Sequence, residues 1–124
     1  MFIWTGHRWW DQNGITTMNI SGPMSQNADP YKHPWVSSHL KTFRRSLFND
    51  VSDANYRNRD GEYFKRIGDQ TFMLPAIAKA RKYEFLPIAA YAYYCPMNSS
   101  NFQTEDAKSQ KEEADYLRNR GFIK

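Results

Sequence analysis

Residues 60–80 read DGEYFKRIGDQTFMLPAIAKA, and two aspartates in this stretch, Asp60 and Asp69, look alike on paper. Asp60 precedes Gly61, the commonest chemistry for a tight turn. Asp69 stands between Gly68 and an apolar run, where a helix opens. Phe72, Ala76, Ile77 and Ala80 recur at helical spacing and predict the buried side of a helix over residues 70–82. Pro75 falls in the first two turns, so that helix either starts there or opens with a kink. Asp69 can then be a helix cap, a carboxylate aimed by the helix at a reacting group, or both at once.

Downstream, YEFLPIAAYAYY (83–94) predicts a strand too apolar to lie at the surface on both sides. CPMNSSNFQ (95–103) has loop chemistry. TEDAKSQKEEADYLRNRG (104–121) predicts a polar helix with acidic residues early, Arg118 and Arg120 in its last turn, and Gly121 as its terminator. Upstream, SSHLKTFRRSLFNDV (37–51) predicts a further helix capped by Ser37 or Ser38. Leu40, Phe43, Leu47 and Phe48 form its apolar face, and Lys41, Arg44 and Arg45 lie opposite. Before it come a short strand, MFIWTG, a turn at Asn13-Gly14, a second strand, ITTMNIS, and the loop GPMSQNADPYKHP. The expected fold class is α/β, a small mixed sheet flanked by about three helices in one domain over residues 1–124. Residues 1–33 form its irregular strand and loop segment.

The 124 residues suffice for a single core, and eight Tyr, eight Phe and four Trp supply ample material for it. No apolar run is long enough to span a bilayer, and the N-terminal residues lack the pattern of a signal peptide, so no membrane insertion is expected. A lone cysteine, Cys95, fits a cytoplasmic setting. The net charge of +4 is compatible with phosphate-rich partners, nucleic acid or a nucleotide diphosphate, without requiring them.

Metal and nucleotide motifs are sparse. His7, His33 and His39 are scattered and no Cys/His pair has zinc spacing, so no metal site is expected in this chain. Asp60-Gly61-Glu62 has an acid-x-acid form but reads first as a surface turn. Neither phosphate-binding glycine motif is present. Trp9 and Trp10, beside His7 and Arg8, can stack on a sugar or base, with core or interface packing as the equal alternative.

The succession SSHLKTFRRSLF, DGEYFKRIGDQTFMLP, FLPIAAYAYY and NSSNFQTEDAKSQKEEADYLRNRGFI resembles the C-terminal, acceptor-side half of family-2-like glycosyltransferases with the GT-A fold. The likeness covers residues 34–123 and rests on order and spacing rather than on any single piece. It implies a partial GT-A fold lacking the N-terminal nucleotide-binding half. The helix-opening Asp69 would be the catalytic carboxylate of an inverting transfer from a nucleotide-sugar to a glycan or other hydroxyl acceptor. His39 and Arg44 would line the cleft, with Trp9 and Trp10 as further substrate contacts.

The family's Asp-x-Asp metal motif is absent here, and Cys95 stands where the strand-end motif has asparagine. The resemblance therefore implies no cofactor within this chain, with magnesium or manganese reserved for the complete enzyme. It also implies inactivity alone, and either a complementing nucleotide-binding chain or a homo-oligomer formed through the N-terminal strand with Trp4, Trp9 and Trp10. The alternative reading is a non-enzymatic binding module for nucleic acid or glycan, built on the basic and aromatic surface.

Overall fold

The first strand, β1 (Phe2–Asp11), organises the molecule, since every other strand among the described residues pairs with it. A computed structural model describes residues 1–18, 21–94 and 104–124. In it β1 alternates apolar residues inward and burial is complete at Phe2 and Trp4. The Asn13-Gly14 turn forms as expected. Asp11 Oδ1 accepts the Asn13 amide at 2.7 Å, and Gly14 takes φ +111°, a backbone state that glycine adopts without penalty. The chain then returns antiparallel as β2 (Gly14–Met18). The strand and loop segment of residues 1–33 thus supplies the central strand of the sheet.

The segment expected as the clearest helix, residues 37–51, is not a helix. Lys41–Phe43 form a strand, β3, antiparallel to β1 with Phe2 opposite Phe43, and Arg45–Phe48 form a single 3-10 turn. Long-range pairing overrides the local pattern. The Thr5 amide donates to the Leu40 carbonyl at 3.0 Å, and the Leu40 amide donates to Thr5 Oγ1 at 3.1 Å. Phe43 stacks on Phe2 at 5.7 Å rather than joining a helical stripe, so Leu40 and Phe43 remain exposed.

Two α-helices, not three, occur among the described residues. Helix α1 (Gly68–Lys79) opens at Gly68 and runs through Pro75 without starting there. Its buried residues are Thr71, Leu74, Pro75, Ala76 and Ile77, whereas Phe72, expected on the inner face, is 48% exposed. Ala76 and Ile77 pack on Phe2, Trp4 and Tyr83. Leu74 and Ile67 pack with Tyr31 and with Leu117 of α2 (Thr104–Arg120). Helix α1 therefore lies between two apolar clusters, one shared with the sheet and one with α2. The expected terminator Gly121 takes φ +75°, and its amide closes on the Leu117 carbonyl at 3.1 Å.

Strand β4 (Tyr83–Tyr94) runs parallel to β1 along nearly its whole length. Pro87 cannot donate to a ladder, and the register slips there: Leu86 faces Thr5 while Ala89 faces Gly6. Only its first residues are covered by α1. From Leu86 to Tyr94 most of the strand is exposed, with Ile88 at 57%, contrary to the expected burial. No helix near Ser38 exists to cover it. The loop of residues 22–34 is fastened to the core instead: Trp4 Nε1 donates to the Gly22 carbonyl at 2.8 Å, and the Tyr83 hydroxyl donates to the Ser25 carbonyl. The expected loop at 95–103, with Cys95, lies outside the described residues.

Candidate functional site

Helix α1 positions Asp69 in its first turn, on the exposed surface. A simple cap would accept the amide of Thr71 or Phe72. Here the Thr71 amide bonds the Ile67 carbonyl at 2.9 Å, and Asp69 Oδ1 accepts the amide of its neighbour Gln70 at 2.8 Å. Ile67, not Asp69, occupies the cap position. The second carboxylate oxygen has no hydrogen bond among the described residues, so it is available to a ligand at the positive end of the helix.

Two basic groups answer to this carboxylate. The negative charge of Asp69 pulls the pKa values of both His39 and Lys41 upward, against a larger lowering by burial. The local pattern predicts Lys41 on the helix face opposite the apolar residues. As a strand residue opposite Trp4 it is instead partly desolvated, with Nζ 5.4 Å from the centre of the Trp35 ring. Nothing in the sequence marked it, because its role follows from β3.

His39 sits in an aromatic nest. Its ring stacks on Tyr93 at 5.3 Å and 12°, lies 5.3 Å from Tyr91, and meets the edge of His7 at 5.4 Å. His7 is buried, with Nδ1 3.5 Å from Ser21 Oγ. Burial lowers both histidine pKa values, the His7 value further through His39 and Lys41, so both rings are neutral at neutral pH. A neutral imidazole can donate and accept a hydrogen bond, as a hydroxyl substrate requires.

The fold brings some expected residues together and separates others. Trp9 shares its strand face with His7 and is in register with Tyr93, next to the His39 nest. Trp10 points the other way, 41% exposed, packed on Tyr94 at 4.5 Å. Arg44 is exposed at the opposite end of β1, where its amide bonds the Met1 carbonyl. It makes no side-chain contact with Asp69 or His39 among the described residues. Trp4 is wholly buried inside the monomer, which removes it from the expected interface.

The acid-x-acid triplet at Asp60 is a surface turn, with Gly61 at φ +79° and Glu62 3.5 Å from Lys65. No group of three or more His, Cys, Asp or Glu among the described residues is arranged to hold a metal ion. No helix among them is long and apolar enough to cross a membrane. Compared with known protein families, curated proteins and solved structures, the chain matches none.

Proposed function

We propose that the chain is the acceptor-side portion of an inverting, nucleotide-sugar-dependent glycosyltransferase of GT-A architecture, acting in the cytoplasm and inactive without a nucleotide-binding half. The observation that carries this reading is the open carboxylate of Asp69 in the first turn of α1, with His39 and Lys41 within the reach of its charge. Asp69 takes the proton of an acceptor hydroxyl as that oxygen attacks the anomeric carbon, and the nucleoside diphosphate leaves from the opposite face. Neutral His39 orients the hydroxyl, and Lys41 supplies a cation whose partial desolvation strengthens its attraction for the leaving diphosphate.

Any magnesium or manganese of the complete enzyme belongs, in this reading, with the nucleotide-binding half. The uncovered length of β4, with Leu86, Ile88, Tyr91 and Tyr94 exposed, suits contact with that half or with a second copy.

The test is transfer of label from nucleotide-sugars to saccharide acceptors by the chain joined to such a half. The reading expects a product of inverted anomeric configuration. Absence of transfer, with salt-sensitive binding of single-stranded nucleic acid by the same protein, would overturn it.

A further inference from the structure

A cavity of about 370 Å³ opens beside the first turn of α1, lined by Asp53, Tyr56, Tyr63, Phe64, Gly68 and Phe72 among others. We infer that this cavity is a saccharide subsite, in which a pyranose ring of the acceptor lies against the aromatic walls with its hydroxyls turned toward Asp53. The inference rests on the proposed transfer only in assigning the sugar to the acceptor; the binding itself stands on the cavity.

The walls are unusual for a helix surface. Phe72 and Tyr63 are 48% and 56% exposed, and Tyr56 lies nearly parallel to Phe72 at 5.4 Å and 24°. The Phe48 ring also packs on Phe72 at 4.8 Å and 36°. Tyr63 is held by Arg57 and Asp53. Arg57 lies over one face of its ring at 4.2 Å and donates to its hydroxyl at 3.0 Å, and that hydroxyl donates to Asp53 Oδ1 at 3.0 Å. Arg57 is not among the lining residues, whereas Tyr63 is.

The chemistry selects among ligands. Among the described residues no lysine or arginine lines the cavity, and the neighbouring Arg57 is already engaged by Asp53, so a phosphate or nucleotide would meet no unpaired cation there. A quaternary ammonium would favour the rings, but Asp53 is already neutralised by Arg57, which leaves no net negative charge to hold it. Asp53 still has unused lone pairs, because among the described residues its carboxylate accepts only from Arg57 and Tyr63. A neutral ring with an apolar C–H face and hydroxyls at its rim meets every one of these conditions. The volume falls at the lower end of the roughly 300–1,000 Å³ typical of small-ligand sites.

Placement supports the link to Asp69. Gly68 lines the cavity, and Phe72 follows Asp69 by three residues. The two side chains therefore occupy adjacent turns of one helix face, with Cβ atoms about 5–6 Å apart. Asp69 itself is not a lining residue; it neighbours the cavity through Gly68 and Phe72.

Saturation-transfer NMR of the chain with a panel of methyl pyranosides and disaccharides tests the inference without any donor. Saturation should pass to the C–H protons of one sugar face. Phe72→Ala, and independently the loop variant Tyr63→Ala, should each weaken binding roughly three- to tenfold. Because neither donor nor transfer enters this measurement, a failure of the catalytic assignment would not mimic a failure of the subsite. No saturable binding by any saccharide of the panel, binding indifferent to both aromatic variants, or preferential binding of tetramethylammonium or inorganic phosphate would overturn it.

Discussion

Burial gives His39 and His7 an electrostatic role that their positions in the chain do not announce. Both have folded-state pKa values below their ordinary value, first because burial penalises the charged ring. The unfolded chain therefore binds protons that the fold refuses once the pH drops below about 6.5. Their contribution is fully present above that value and declines as pH falls toward the lowered folded-state values. Chemical denaturation at about pH 7 and about pH 5.5 should show lower stability at the acidic value, and His39→Gln should reduce that difference. An unchanged pH dependence in this variant would contradict the burial of a neutral ring. The residue scale was also where the sequence was least informative. Asp69 was legible because a helix start is a local signal. Lys41, Tyr63 and Phe72 were not, since their exposure and partners depend on elements distant in the chain.

Elements with strong local period were read correctly in kind: β4, α1 and α2 fall close to their expected places. The exception is instructive. Residues 40–48 carry apolar positions at helical spacing, but the unpaired edge of β1 at Phe2, Ile3 and Trp4 offers hydrogen bonds that a helix would forgo. Once Lys41–Phe43 pair there, the remaining Arg45–Phe48 have room only for a 3-10 turn. The hydroxyl of Thr5 is the side-chain part of this junction, accepting the Leu40 amide while donating to the Gly6 carbonyl at 3.0 Å. Thr5→Val keeps the shape and leaves the Leu40 amide without its acceptor, at an expected cost of about 1–3 kcal/mol. Hydrogen exchange should quicken first at residues 40–43. Exchange and stability equal to those of the parent would show that β3 is held by its backbone pairing alone.

At the scale of the whole molecule, α1 is the common member of both apolar clusters, so the start of this helix is fixed from two sides. Arg118 reaches Gln70 at 3.4 Å, and the Glu113 carboxylate accepts the amides of Lys65 and Arg66 at 3.3 and 2.9 Å. These contacts tie α2 to the segment leading into Asp69. Rigid support around an open carboxylate is what a proton acceptor needs, since a general base must sit within hydrogen-bond reach of the proton it removes. The mixed α/β character was legible from the order of elements, whereas the exposed length of β4 was not, because an apolar run alone does not reveal what covers it. The account turns on Asp69→Asn, which keeps an oxygen to accept the Gln70 amide but cannot take up a proton. Initial rates and thermal unfolding would be compared for parent and variant, each joined to a nucleotide-binding half. The account predicts a rate loss of about 10²–10⁴-fold with stability altered by no more than about 1 kcal/mol. A variant that transfers sugar at the parent rate would remove Asp69 from the mechanism.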